Sequence, residues 1–376
     1  MQARSAEKVS EALHHIDKWI NLSLVKGAAA AVWQGGEIVA EHYAGEARPG
    51  VTVNEQTIFP LASVTKPVTA AEVMVLVEWG QIALDEAAYR HVPAFVAASP
   101  HRQGGDARLE SARRSVTVRH LLSHTAGLPE DLPQGQLRYE DKNDAATIAN
   151  ALIELPLFAE PGTELRYSNA GFALLGRLIE RLTQNAYAEQ IQAHVLHPLE
   201  MKNTVVRPGE ELAERIVHLD DAVPDDPDVQ SYNSPYWRSL GIPWGGLYGT
   251  PVDLARFAAS FLNGGPRLLS AASVREMTTD QVRELPGEVQ SMRTKWDTAA
   301  WGLGWEVKGS KRNHWTGDLT SPRTFCHIGA AGTLLWADPE YEIAFAVFAN
   351  RTLSRIWGSI LPAWQRLSNA VIAAST

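Results

Sequence analysis

From Val68 to Ile82 the chain reads Val-Thr-Ala-Ala-Glu-Val-Met-Val-Leu-Val-Glu-Trp-Gly-Gln-Ile, a helix-length run that is apolar on nearly every side. A helix without a polar face has no place on a surface, so the rest of the chain must fold around it. At its head stands Phe59-Pro60-Leu61-Ala62-Ser63-Val64-Thr65-Lys66-Pro67. Ser63 and Lys66, three residues apart, share one helix face about a turn from each other. Pro67 falls at or just past the first turn, where its missing N–H costs little. A buried helix that begins at a serine sets that serine on the floor of a cleft. The hydroxyl alone is a poor nucleophile near neutral pH, but burial lowers a lysine's proton affinity and a neutral amine takes the proton. The helix N-terminus adds backbone N–H groups that face any developing negative charge. A buried helix with a polar cap explains the same residues, so the remaining sequence has to decide.

A chain of 376 residues is longer than one core usually organises, which predicts two closely packed lobes. Ala28–Trp33 and Glu37–Tyr43 flank Gln34-Gly35-Gly36 as a hairpin; Gly332–Ala337 and Glu342–Phe348 flank Asp338-Pro339-Glu340-Tyr341 as another. An amphipathic helix with Val9, Leu13, Ile16 and Ile20 on one face opens the chain, and a helical pattern from Ser354 to Ala374, interrupted at Pro362, closes it. Two hairpins with helices at both termini make an antiparallel sheet covered by helices. Between them Leu174, Leu175, Leu178, Ile179 and Leu182 mark a middle dominated by amphipathic helices, and Thr250-Pro251-Val252-Asp253 opens another helix with a cap and an early proline. The fold class is therefore α+β. Residues 1–60 and 250–376 form the sheet lobe, residues 61–249 an inserted, mainly helical lobe, and the cleft lies between them. The polar stretches 98–115 and 219–230 read as surface loops.

Lys and Arg number 34 against 43 Asp and Glu, a net charge of −9 with no basic stripe, which argues against nucleic acid and anionic membranes as partners. The single cysteine, Cys326, excludes an intramolecular disulfide and a thiolate metal cluster. His120 and His124 lie four apart, but no third ligand accompanies them, so neither a metal nor a cofactor is expected. No window of about eighteen apolar residues spans a bilayer, and the charged N-terminus is not a secretory signal, so the expected location is cytoplasmic.

Two further segments carry chemistry. Tyr167-Ser168-Asn169 precedes the Ala173 helix; a tyrosine beside a lysine ammonium has its phenolate favoured and can act as base or proton relay. Asn169 offers a donor and an acceptor, suited to a substrate carbonyl or to the lysine itself. Phe325-Cys326-His327-Ile328-Gly329-Ala330-Ala331-Gly332 leads into the penultimate strand as an edge. Its small residues, Gly329 among them, let an acyl group lie alongside, with the Ala330 N–H joining the Ser63 N–H in an oxyanion hole. His327 could donate to a substrate or to the tyrosine, or simply pack within the strand.

These elements in this order resemble the serine β-lactamase and penicillin-binding-protein superfamily, most closely its class C branch and the related carboxylesterases called family VIII. Val116-Thr117-Val118-Arg119-His120-Leu121-Leu122-Ser123-His124-Thr125-Ala126-Gly127-Leu128, Pro198-Leu199-Glu200-Met201-Lys202-Asn203-Thr204 and Trp244-Gly245-Gly246-Leu247 followed by Asp253-Leu254-Ala255-Arg256-Phe257 extend the resemblance over nearly the whole chain. It implies Ser63 as nucleophile, Lys66 and Tyr167 as paired acid and base, and an acyl-enzyme that water hydrolyses. Aromatic residues Tyr232, Tyr236, Trp237, Trp244 and Tyr248 fall where the family places cleft-lining loops, as an apolar acyl pocket or as packing. One departure matters. Where the family's β-lactamases and transpeptidases carry Lys-Thr-Gly to recognise a substrate carboxylate, this chain has His327-Ile328-Gly329, with Arg323 as the nearest cation in sequence. The expectation is a serine hydrolase for small-molecule esters. A lactam, D-amino-acid peptide or amide hydrolase, an acyltransferase, and a binding protein that has lost activity are the alternatives.

Overall fold

The computed structural model describes residues 2–97, 106–133, 141–220 and 232–376. Seven strands form the main sheet: β1 (Gly27–Gln34), β2 (Glu37–Arg48), β3 (Val51–Thr52), β4 (Glu306–Val307), β5 (Phe325–Gly329), β6 (Thr333–Asp338) and β7 (Ile343–Ala349). Their order is β4-β5-β6-β7-β1-β2-β3, and every neighbouring pair is antiparallel. The two ends of the chain meet at the centre, where β1 pairs with β7 from Ala28 opposite Ala349 to Gln34 opposite Ile343.

From β5 to β1 both faces of the sheet are buried and the side chains of β1 and β7 alternate between two cores, whereas β2 and β3 are partly exposed. Ala28, Ala30, Val32, Ile343, Phe345 and Val347 face the terminal helices α1 (Gln2–Leu13) and, at the other end of the chain, α5 (Leu353–Ser375), meeting Val9, Leu13, Ile360, Trp364 and Val371. Ala29, Ala31, Trp33, Ala344, Ala346 and Phe348 face the inserted helices. The inserted helices are α2 (Thr65–Glu78) and α3 (Asn169–Thr183), and α4 (Pro251–Ala259), which follows them in the chain, packs on the same face. Alanine on both sides of β1 lets helices approach the sheet closely. In α2 every residue from Thr65 to Leu76 is buried, as its unbroken apolar run requires. One continuous set of apolar side chains connects Ala29, Ala31 and Trp33 with Val68 and Leu76 of α2 and with Leu174 and Leu178 of α3. None of the helices among the described residues is long and apolar enough to cross a membrane.

Three details depart from the sequence reading. Pro362 does not interrupt the last helix, which runs unbroken from Leu353 to Ser375. An interior proline costs about 3 kcal/mol, yet Ile356, Ile360, Trp364, Leu367 and Val371 bury one face, at roughly 1.5–3 kcal/mol for each such side chain. Within 98–115, residues Ala107–Ala112 form a helix capped by Asp106, whose side chain accepts the Arg108 N–H; 98–105 and 221–230 lie outside the described residues. The Phe325 segment is a strand of its own rather than the penultimate one, and it is an edge for part of its length only. β4 pairs with it at Phe325 and Cys326, and among the described residues no strand pairs with His327 to Gly329 on that side.

Candidate functional site

Ser63 lies in a single 3₁₀ turn, Ala62–Val64, that runs directly into α2. Ala62, immediately before it, has φ 46°, a left-handed conformation that a residue with a Cβ adopts at a cost. The turn is pressed against the end of β5. Thr333 Oγ1 donates to the Leu61 carbonyl at 3.0 Å, and a Cβ added at Gly329 would collide with that carbonyl oxygen and with Thr333 Oγ1. Gly329 therefore makes room for the backbone beside the nucleophile rather than for a substrate. Ala330 is exposed at the strand's end; its carbonyl accepts Leu353 N–H at 2.9 Å, and among the described residues no acceptor takes its own N–H.

Lys66 is fully buried, with Nζ 3.1 Å from Ser63 Oγ, 2.7 Å from Asn169 Oδ1 and 3.0 Å from the Trp244 carbonyl. Burial lowers its pKa to about 7, against the upward pull of Glu130 and Asp131. A neutral amine has two N–H groups and one lone pair. Asn169 and Trp244 are obligate acceptors that take the two hydrogens, so the lone pair is left facing Ser63. Asn169 is engaged at both ends, since its Nδ2 donates to Asp131 Oδ2 at 2.9 Å. Of the two roles open to it in the sequence, the geometry matches holding the lysine.

Tyr167 is buried, with its ring centroid 4.7 Å from Lys66 Nζ and Ser63 beside its hydroxyl. Burial, with Glu130 adding to it, holds the phenol well above its usual range against the lowering influence of Ser63. The anticipated phenolate is thus reversed: desolvation pushes the amine down and the phenol up, giving a neutral lysine beside a protonated tyrosine.

His327 is buried behind Tyr167, its ring 6.0 Å from that of Tyr167 and 6.0 Å from that of Trp301. Its Nδ1 donates to the Ile328 carbonyl at 2.8 Å, and Nε2 has no partner among the described residues. Burial foremost, then the nearby Lys66, pushes it down to about 3, so the imidazole is neutral and makes no hydrogen bond to the tyrosine. Arg323 is exposed in the turn at the opposite end of β5, four residues before His327 and about 13 Å away at the rise of a strand. Trp237, on the helix Pro235–Leu240, packs edge-on against Tyr232 at 5.2 Å, and Tyr248 is enclosed with Ile58 and Ile216. Tyr232, Trp244 and Tyr248 are buried, whereas Tyr236 and Trp237 are partly exposed, and Trp244 meets the site through its backbone carbonyl.

His120 does not pair with His124. Its Nδ1 accepts Thr117 N–H at 3.3 Å and completes a helix cap, whereas His124 packs against Tyr167. Glu306, His314 and Cys326 come within ligand distance of one another on the far side of the sheet, but Glu306 already holds Lys311 Nζ at 2.7 Å. The sequence reading passed over the Trp244 carbonyl, Asp131 and His124. Only His124 left a signal, as part of the Ser-His-Thr-Ala-Gly-Leu run.

A family model described as Beta-lactamase matches residues 22–356. Penicillin-binding protein 4 of Amycolatopsis lactamdurans is 31% identical over 298 residues, covering 75% of this chain and 71% of that protein. Among solved structures, a β-lactamase from Mycobacterium bovis is 29% identical with a TM-score of 0.65, covering 97% of this chain and 99% of that one. The crystal structure of a family VIII carboxylesterase matches at a TM-score of 0.79 with 22% identity, covering 98% of this chain and 97% of that one. With a family match that spans most of its length and a relative 31% identical over three quarters of it, the chain belongs to the Beta-lactamase family.

Proposed function

We propose that this hydrolase of the β-lactamase and penicillin-binding-protein fold forms an acyl-enzyme on Ser63 and acts on carboxylic esters in preference to lactams. The observation that carries the mechanism is the Lys66 amine, held by two acceptors with its lone pair toward Ser63 Oγ. Ser63 Oγ attacks the ester carbonyl carbon while its proton passes to Lys66 Nζ, and the carbonyl oxygen becomes an oxyanion facing the Ser63 and Ala330 amides. The bond to the leaving alkoxide then breaks. Tyr167 gives its hydroxyl proton to that oxygen and takes a proton back from the Lys66 ammonium, so the phenol never persists as an anion. A water molecule from solvent then attacks the acyl carbon and gives its proton to Lys66, and as the bond to Ser63 Oγ breaks the proton passes from Lys66 to that oxygen.

The ester preference rests on His327. A lactam carboxylate requires a cation beside the strand, and a hydrogen bond to a charged group is worth roughly 1.5–3 kcal/mol, or about one to two decades in rate. The neutral, buried imidazole supplies none, Ile328 has no hydroxyl, and Arg323 stands at the wrong end of β5. An ester without a carboxylate forgoes nothing at that position. Short p-nitrophenyl esters should be hydrolysed with kcat/KM at least tenfold above that of a chromogenic cephalosporin. A fluorophosphonate should leave one adduct, on the peptide containing Ser63, by mass spectrometry. An adduct elsewhere, or full activity in Ser63→Ala, would sink the mechanism; a preference for the cephalosporin would sink only the ester assignment.

A further inference from the structure

The loop that carries Tyr167 is held on one side by the strand Gly287–Val289, whose Glu288 carbonyl accepts the Tyr167 N–H at 3.1 Å, and on the other by one short segment, His124 to Glu130. Arg166 N–H donates to the His124 carbonyl at 2.8 Å, Gly162 N–H to the Thr125 carbonyl at 2.8 Å and Phe158 N–H to the Gly127 carbonyl at 2.8 Å. On the far side of the tyrosine, Ser168 Oγ donates to the Pro129 carbonyl at 2.7 Å and Asn169 N–H to the Glu130 carbonyl at 2.8 Å. His124 alone grips both neighbours of Tyr167, because its ring Nδ1 also accepts the Ser168 N–H at 3.0 Å. Its imidazole lies against the phenol ring at 4.5 Å with a tilt of 39°. The side chain is 1% exposed, and its backbone sits at φ 58°, a left-handed conformation that costs energy for any residue with a Cβ. That strained backbone lets one residue offer its carbonyl to one flank of Tyr167 and its ring to the other. Because Nδ1 accepts, the ring's proton is on Nε2 and the imidazole is neutral; an imidazolium would turn a donor toward the Ser168 N–H.

We propose that His124 is a positioning residue that aims the Tyr167 hydroxyl at the leaving-group oxygen. The proposal rests on Tyr167 acting as proton donor, as argued above, and predicts a dependence on the leaving group that a general loss of structure would not produce. An alkoxide must be protonated as it departs, whereas p-nitrophenolate leaves as an anion. A misdirected phenol therefore slows alkyl esters and spares aryl esters of the same acid.

Turnover of ethyl acetate and of p-nitrophenyl acetate is measured for the unmodified protein and three variants. Tyr167→Phe should lose about 10²-fold or more in kcat on the ethyl ester relative to the aryl ester. His124→Phe keeps the ring against Tyr167 but removes the acceptor for Ser168 N–H. It should lose about 10- to 100-fold in kcat on the ethyl ester, less than about threefold on the aryl ester, with KM for both within about twofold. His124→Asn retains an acceptor oxygen and tolerates the left-handed backbone, so kcat on the ethyl ester should stay within about threefold of the unmodified protein. Equal losses on the two esters in His124→Phe, or an Asn variant as impaired as the Phe variant, overturn the proposal. If His124→Phe does not fold, a folded His124→Asn decides: retained ethyl-ester turnover supports the proposal, and a loss as large as that of Tyr167→Phe overturns it. A Tyr167→Phe variant that loses equally on both esters overturns the proton-donor role itself, a result distinct from a selective Tyr167→Phe beside an unselective His124→Phe.

Discussion

At the scale of single residues, the chemistry proposed here depends on where two protons reside. Lys66 has a pKa of about 7 because burial disfavours its charge, and as the base it must be neutral. The sign follows directly: kcat/KM for an ester should rise with pH, reach half its plateau near 7, and fall about tenfold per pH unit on the acid side. A flat profile between pH 5 and 9 would show that Lys66 is not the titrating base. Lys66→Arg should abolish this limb together with activity, since a guanidinium does not deprotonate in this range. The pairing of Ser63 with Lys66 was legible in the sequence, because three residues along a helix determine where two side chains meet. The protonation states were not. They depend on the desolvation of both groups, and that arises only when α3 and the Trp244 segment close over the amine.

At the scale of elements, two substitutions test how the strands and helices hold the site. Gly329→Ala places a methyl group against the Leu61 carbonyl and Thr333 Oγ1, so β5 and the Ser63 turn must separate. We expect kcat to fall by at least about tenfold, with a loss of roughly 1–3 kcal/mol in urea unfolding, as for an overpacked core. An active Gly329→Ala enzyme of unchanged stability would mean that the turn yields freely. In α2, Glu72 is buried and its carboxyl is raised to about 8 by desolvation, beside a His194 that burial lowers, so the contact of 3.0 Å joins a neutral acid to a neutral imidazole. Its folded pKa exceeds its unfolded value. The native state therefore holds an extra proton between about pH 4.5 and 8, and stability falls as pH rises across that window. Glu72→Gln should abolish this decline, so the variant gains on the unmodified protein from pH 5 to 8 in denaturant titrations, with a constant gap above about 9. A gap independent of pH would show that Glu72 ionises normally.

At the scale of the whole molecule, the sheet and the inserted helices share one set of buried side chains, from Trp33 through α2 to Leu178. Calorimetry should give a single unfolding transition with matching calorimetric and van't Hoff enthalpies; two resolved transitions would mean that the lobes fold independently. The sequence by itself determined what is local and periodic. The central helix, the amphipathic face of α3, the terminal hairpins and the antiparallel sheet all follow from repeats of 3.6 and 2 residues, which act through neighbours a few positions away. Tertiary structure decided everything that depends on approach from a distance. Pro362 stays inside α5 because the sheet repays its lost hydrogen bond, and Gly329 is needed because Leu61, far away in sequence, presses on it. Asn169 holds Lys66, the His327 ring turns inward and becomes neutral, and His124 reaches both flanks of Tyr167. The physical reason is the same in each case. Side-chain order along a chain sets which face a residue occupies, whereas desolvation and close contact are properties of the space between segments, and that space exists only in the assembled fold.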